Sequence, residues 1–396
     1  MNPPIPFHRP SITQAAVDAV TAVLRSGWLT TGPRVRDLEA AVCAYVAGGP
    51  VEGGAGAPAP DLDLNAVALS SCTAALHLAL IAAGVNEGDE VVTSPYTFVS
   101  TGETILYLDA RPVFVDVERG TKNLDPALLE RAITPRTRAI VTVSIAGHPC
   151  RSAEIAAIGR RHGIPVIEDA AHSLTARVGG APVGTQADLT CFSFYATKGV
   201  TSGEGGMAVT QNAEWAERIR RLCLHGLSAA AWSRYDKGGW WEYDVTELGY
   251  KYNLTDIQAA LALAQLARAE EMRARREAIA SRYTEALAGV PGLSTPAVAA
   301  GVRHAWHLYQ VGVAPGARRD RTALALALRE EGIGTSVHFK PLHLFHWYQK
   351  LLGLREGMYP NAEACYAETL SLPIYPDLSG DDVDRVAGAV RRLLAA

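Results

Sequence analysis

The 396-residue sequence lacks paired cysteines, long apolar runs and a dominant sign of charge. Its six cysteines (Cys43, Cys72, Cys150, Cys191, Cys223 and Cys365) contain no C-x-x-C pair. That argues against zinc and iron–sulfur sites, which need clustered ligands. Scattered thiols behave as small buried apolar groups. No His or carboxylate stands beside Cys72 in the arrangement that a thiol nucleophile needs. Lysine and arginine number 37 against 41 acidic residues, a net charge of −4. That balance provides no basic field for nucleic acid. No apolar run approaches the ~18 residues of a spanning helix. Residues 1–10 show no basic stretch ahead of an apolar core, so no signal peptide is expected. The chain reads as a cytoplasmic protein without nucleic-acid or membrane partners.

What is present fits a globular enzyme-sized chain. Hydrophobic residues make up 48% and charged residues 20%, which excludes a disordered tail, a coiled coil or a collagen-like fibre. At ~150 residues per domain the length suggests two domains. Two short helices are expected in the first ~50 residues by apolar spacing. Ser11 is the expected N-cap, with Val17, Val20 and Leu24 on one face. Residues 48–60 (GGPVEGGAGAPAP) read as a flexible insertion.

From Asn65 onward, short apolar strands alternate with helices. Strands are expected at 67–70, 90–93, 112–115, 139–144, 164–168, 189–194 and 207–210, with helices at 73–83, 98–108 and 152–162 and one beginning near Asp125-Pro126. This pattern predicts an α/β fold around a mostly parallel sheet covered on both faces. A helix at 212–224 and an aromatic loop at 232–252, including Trp240-Trp241, follow. Thr255 is expected to cap one long helix to about 288. Further on, strands are expected at 305–313 and 334–339, with helices at 321–331 and 382–394. The expected division is 1–264, an N-terminal arm and large domain, and 265–396, the long connecting helix and a smaller α+β domain.

In doubly wound sheets, ligands bind beyond the carboxyl ends of the strands. Asp169 follows one such strand, Lys198 follows the next, and Ser71-Cys72-Thr73 opens a helix after the first. An acid, a lysine and a helix N-terminus at one rim are the three parts of a pyridoxal phosphate site. The lysine forms the Schiff base, the acid pairs with the pyridine nitrogen, and the helix N-terminus offers N–H groups to the phosphate. Taken singly, each has a plainer reading: a solvated lysine, a turn aspartate and an ordinary cap at Ser71 or Thr73. Their joint order favours the site. The histidines at 338, 343 and 346 fit no zinc spacing, and their aromatic neighbours point to packing, so no metal site is expected.

The run from Ser193 to Gly206 (SFYATKGVTSGEGG) resembles the lysine motif of the DegT/DnrJ/EryC1/StrS sugar aminotransferases. Val166–His172 (VIEDAAH) is similar to their aspartate motif, and Gly249–Ala260 to their cross-subunit loop. Ser26–Pro33 and Gly332–Phe339 also match. The resemblance spans nearly the whole chain except 48–60. It implies a fold type I pyridoxal phosphate transferase working as a homodimer with shared active sites. It implies Lys198 as the residue bound to the cofactor, Asp169 on the pyridine nitrogen, His172 near the phenolic oxygen and Phe98 stacked on the ring. Backbone N–H groups of Thr73 and Ala74, with the Ser193 hydroxyl, would hold the phosphate, and Asn253 would reach it from the neighbouring subunit. Trp28, Thr30 and His338 fall on the substrate side. The implied reaction moves an amino group from L-glutamate, through pyridoxamine phosphate, to a nucleotide-linked keto-sugar of the UDP-4-keto-pentose or 4-keto-6-deoxyhexose type. A keto-cyclitol or small aldehyde acceptor is the alternative. A non-catalytic sensor or scaffold on the same fold is another, opposed by the intact Lys198 and Asp169.

Overall fold

The computed structural model describes residues 3–48, 62–228 and 243–395. The alternating apolar runs become a seven-stranded sheet in the order β1-β9-β8-β5-β4-β2-β3. Its strands are β1 (Asn65–Leu69), β2 (Glu90–Thr93), β3 (Arg111–Phe114), β4 (Thr137–Val143), β5 (Val166–Asp169), β8 (Leu189–Ser193) and β9 (Gly206–Thr210). The five strands β3, β2, β4, β5 and β8 run parallel. β9 is antiparallel to both neighbours, β8 and β1. The sheet is mixed for a simple reason: the short 194–205 connection holds no crossover helix, and a parallel pair would require one.

Helices cover the sheet. They include α3 (Cys72–Ala82), α4 (Val99–Leu106), α5 (Pro126–Leu129), α6 (Ser152–His162) and α7 (Ala213–Leu222). The central strands bury both faces, with Val166 and Ile167 at 0% exposure. Each such side chain contributes roughly 1.5–3 kcal/mol. α3 is apolar nearly all round and buries nine of its eleven residues, so it lies inside the fold and its N-terminus is held rigidly at the sheet rim.

Several expectations shift. The two N-terminal helices form as α1 (Gln14–Ser26) and α2 (Pro33–Val46), but Thr13, not Ser11, caps α1 by accepting from Ala16 N at 3.3 Å. The Ser11 hydroxyl donates instead to Asp377 at 3.0 Å. α1 turns Ala16 and Val23 inward, while Val17 and Leu24 are 46% and 53% exposed. The single helix expected from Thr255 is two, α8 (Asp256–Leu266) and α9 (Ala269–Leu287). Arg268 leaves helical geometry between them at φ −108°, ψ 7°. No Gly or Pro marks that break, so spacing alone reads through it. Thr255 does cap α8, in a capping box with Gln258.

The C-terminal region holds a three-stranded sheet of β10 (Leu293–Ser294), β12 (Tyr309–Val313) and β13 (Thr369–Leu372). A second small sheet pairs β11 (Val302–Arg303) with the hairpin β6 (Arg177–Val178) and β7 (Ala181–Pro182). Helices α10 (Arg321–Glu330), α11 (His346–Leu352), α12 (Pro360–Glu368) and α13 (Gly380–Ala395) complete it. The strand expected at 305–313 is confined to β12, because Trp306 adopts a left-handed φ of 52°. The expected strand at 334–339 reduces to one bridge, Ser336 to Ser371. The N-terminal Ile5 joins this region's apolar core beside Tyr283, Tyr309 and Leu372. Most of the 48–60 insertion and the residues Trp232, Trp240 and Trp241 lie outside the described residues.

Candidate active site

Strand register sets the rim. Gly206 of β9 pairs with Ser193 of β8 on one side and with Leu69 of β1 on the other. The lysine loop after β8 and the helix start after β1 therefore face each other across one glycine. A Cβ at Gly206 would lie 2.5 Å from Cys72 N and against the carbonyl of Ser71. The backbone at the start of α3 fills the space a side chain would take. Gly206→Ala should displace that backbone at a cost of about 1–3 kcal/mol. Its melting temperature is expected to fall by roughly 2–6 °C; an unchanged melting curve would refute the tight contact.

Three groups converge on a cavity of about 410 Å³. Asp169, at the end of β5, is 5% exposed. Its Oδ2 accepts from Thr101 Oγ1 at 2.8 Å and its Oδ1 from Ala171 N at 3.2 Å. Thr101 in turn shares a 2.8 Å hydrogen bond with Thr97. Burial raises the Asp169 pKa, opposed by these donors and by Lys198. Lys198 sits in a turn closed by its N–H to Tyr195 O at 2.9 Å. Burial lowers its pKa from 10.5 to about 8, against the pull of Cys72 and Asp169. An amine in that range exchanges protons readily near neutral pH.

The lowered value has a stability consequence. The unfolded amine keeps its proton to about 10.5 while the folded one releases it near 8. Between those values the unfolded state binds more protons, so stability rises with pH. In the cofactor-free chain, Lys198→Met should therefore melt a few degrees higher than wild type at pH 7. That gap should narrow as pH climbs from 8 toward 10.5. A gap independent of pH would show that the amine is not desolvated.

The third group is the start of α3. Ser71 caps it, its Oγ accepting from Ala74 N at 3.0 Å. Ala74, expected as an anion donor, thus has a partner within the chain. The N–H groups of Cys72 and Thr73 are the first-turn donors with no helical acceptor. Ser193 Oγ lines the cavity and accepts from Tyr195 N at 3.3 Å. Phe98 stands at the mouth, 55% exposed, with its ring 5.9 Å from Phe339.

His172 lines the same cavity. Its Nδ1 accepts from Ala146 N at 3.2 Å, which leaves the proton of the neutral ring on Nε2. Burial and then Lys198 hold its pKa well below the ordinary value. His338 bonds Ser371 Oγ through Nδ1 at 2.9 Å, stacks on Phe7 and is held near pKa 4 by burial. Two contributors were not read from the sequence, Thr101 and His307. Thr101 lies in the first turn of α4, and Thr97 precedes that helix. His307 packs against His172 with ring centroids 4.3 Å apart and the planes tilted by 32°. It arrives from a distant segment with no motif around it.

The placement of His307 comes from two interlocked turns. Ala146 and Gly147 both have positive φ, 58° and 98°. Ala305 N donates to Gly147 O at 2.9 Å and Leu308 N to Ala146 O at 3.0 Å. A Cβ at Gly147 would meet Ala305 Cβ, Trp306 N and His307 N, each at 3.0 Å. Arg276, 2% exposed, donates to the carbonyls of Ile374 (2.8 Å), Trp306 (3.3 Å) and His307 (3.5 Å).

The remaining candidates lie elsewhere. Trp28, Thr30 and Asn253 do not line this cavity. Asn253 Nδ2 donates to Thr31 Oγ1 at 2.8 Å and its Oδ1 accepts from Lys251 at 2.6 Å. Trp28 and Thr31 border a wider hollow of about 1010 Å³ along α1 and α2. That hollow is larger and has acids of its own, Asp37, Glu39 and Asp256, but no lysine or histidine, so the smaller cavity is the candidate active site. His343 pairs with Glu363 at 2.8 Å, away from His338, and no group of side chains among the described residues is placed to hold a metal. Cys43 is half-buried and the other five cysteines are buried. Burial pushes the Cys72 thiol well above its ordinary pKa, which makes it a poor nucleophile. No helix among the described residues is long and apolar enough to cross a membrane.

Comparison with known proteins agrees with this geometry. The profile of the DegT/DnrJ/EryC1/StrS aminotransferase family matches residues 10–391. The spore coat polysaccharide biosynthesis protein SpsC of Bacillus subtilis is 47% identical over 392 residues, covering 98% of this chain and 97% of that protein. Among solved structures, the aminotransferase TlmJ from Streptoalloteichus hindustanus superposes with a TM-score of 0.87 at 35% identity, covering 99% of each chain. The pyridoxal phosphate form of the putative sugar aminotransferase Spr1654 from Streptococcus pneumoniae gives 0.88 at 32% identity, again over 99% of each chain. With the family profile matched over nearly the full length and a relative 47% identical over 98% of it, the chain belongs to the DegT/DnrJ/EryC1/StrS aminotransferase family.

Proposed function

We propose that this aminotransferase binds pyridoxal phosphate in the Lys198 cavity and moves an amino group from L-glutamate to a nucleotide-linked keto-sugar by a ping-pong reaction. The observation that carries the reading is the convergence of Lys198, Asp169 and the start of α3 on one cavity. The donor set fits the cofactor: a desolvated amine, a buried acid, and backbone N–H groups at a helix N-terminus. When bound, the cofactor supplies an electron sink for charge developed on the substrate carbon.

The chain's residues do the rest. The Asp169 carboxylate would keep the ring nitrogen protonated, and Thr101 fixes that carboxylate by donating to Oδ2. Cys72 and Thr73 N–H, with Ser193, hold the phosphate; Ala74 serves by anchoring the cap at Ser71. His172 presents Nε2–H toward the ring oxygen, and Phe98 covers the open face. Lys198 takes a proton from the α-carbon of the amino donor and returns one to the carbon that receives the amine. His338 borders the substrate side.

Asn253 completes the phosphate site of a second copy in a homodimer, as do Trp28 and Thr30 the substrate side. Their position outside their own chain's cavity supports this. The sugar acceptor is supported by relatives such as SpsC, named for spore coat polysaccharide biosynthesis, and Spr1654, described as a sugar aminotransferase. The test is an assay of glutamate against a panel of UDP- and other nucleotide-linked 4-keto-sugars and keto-cyclitols. Formation of an amino-sugar nucleotide with release of the keto acid is expected. Transfer only to cyclitols would replace the acceptor. A colourless protein that takes up no pyridoxal phosphate would favour a scaffold.

A further inference from the structure

His307 is 7% exposed, yet its Nδ1 has no hydrogen-bond partner. A buried unpaired nitrogen is unfavourable, and a phenylalanine of similar shape would avoid it. The fold nevertheless fixes the backbone that carries this ring, through the Gly147 contact and the Arg276 bond to the His307 carbonyl, and sets the ring against His172 at 4.3 Å with the planes tilted by 32°. The ring also lines the Lys198 cavity. With Nδ1 sealed from solvent and unpaired, Nε2 is the nitrogen that the cavity can use. Burial, His172, Lys198, Arg276 and His338 all disfavour a second proton on the ring. A neutral ring with its proton on Nε2 is a hydrogen-bond donor. Arg276, which bonds the His307 carbonyl, has no carboxylate partner among its hydrogen bonds, so its positive charge near the ring favours an anionic acceptor.

We propose that His307 contacts ligand directly, donating Nε2–H to an anionic oxygen that lies against His172. This rests on the amino-transfer reading above. Two sources provide such an oxygen: the ring oxygen of the cofactor and the carboxylate of the amino donor.

The full chain is compared as wild type, His307→Phe and His307→Gln. Three quantities are measured: melting temperature, affinity of the stripped protein for pyridoxal phosphate by equilibrium dialysis, and kcat and KM for glutamate. His307→Phe should melt at or above wild type, since it removes an unpaired buried nitrogen. It should lose about tenfold or more in cofactor affinity or in kcat/KM for glutamate. His307→Gln, which keeps an N–H donor, should recover part of that loss. Loss of cofactor affinity assigns the ring oxygen; loss confined to glutamate assigns the carboxylate. A His307→Phe protein with both quantities intact, or one whose losses track a lowered melting temperature, overturns the proposal. Wild-type protein that takes up no pyridoxal phosphate overturns the amino-transfer reading itself, whereas normal uptake with an unaffected His307→Phe removes only the role of His307.

Discussion

Lys198→Ala should lose at least ~10⁴-fold in turnover, because it removes the group that moves the proton in both half-reactions. The fold should survive. The side chain fills no apolar core, and its turn is closed by the backbone of Tyr195. The visible absorbance that pyridoxal phosphate acquires on bonding to a protein amine should vanish with it. Cofactor affinity should fall less, since Cys72, Thr73 and Ser193 remain. A stopped-flow trace with glutamate, read beside the visible spectrum, checks both. A variant that kept its colour and its turnover would transfer the chemistry to another lysine and remove the basis for this site.

Asp169→Asn comes second in expected effect. The carboxylate is buried beneath the cavity and already accepts two hydrogen bonds, from Thr101 and Ala171. Asparagine keeps the shape and one acceptor but loses the charge. Removing one preorganised charge from a water-poor site costs about 10²- to 10³-fold in rate. The loss should appear in kcat more than in the KM for glutamate, because the charge matters most when the substrate carbon becomes electron-rich. A variant with an unchanged kcat would show that Asp169 only supports the end of β5.

Much of this site could be read from the sequence because its parts are local. Asp169 ends an apolar strand, Ser71 precedes a helix, and Lys198 lies in a Gly-bounded loop, so each announced its position by its neighbours. The alternation that places them on one rim is a two-state pattern, strand or helix, and it survived in every central element. What failed was tertiary. Val17 and Leu24 have the spacing of an inward face, but α1 packs on α8 and the residues it buries are Ala16 and Val23. The break at Arg268 carries no Gly or Pro. The reversal of β9 depends on how a connection folds, not on what the strand contains. His307 was invisible because its place is decided by Gly147, more than 150 positions earlier, and no local pattern encodes a contact at that distance.

The seam between the turn at Ala146-Gly147 and the segment 305–308 is made of main-chain hydrogen bonds. Main-chain bonds are indifferent to most side chains. Gly147 is constrained there by its lack of a Cβ and Ala146 by its left-handed φ, while Ala305 and Leu308 contribute their amides to those bonds. Recombination between relatives that exchanges everything after α9 would have to rejoin this line and also side-chain bonds such as Tyr96 to His338 O and Asn361 to Val117 O. The imidazole pair at the heart of the site would then be split between the parents, His172 from one and His307 from the other. A hybrid joined here keeps the pair only where both parents carry an imidazole at its two positions.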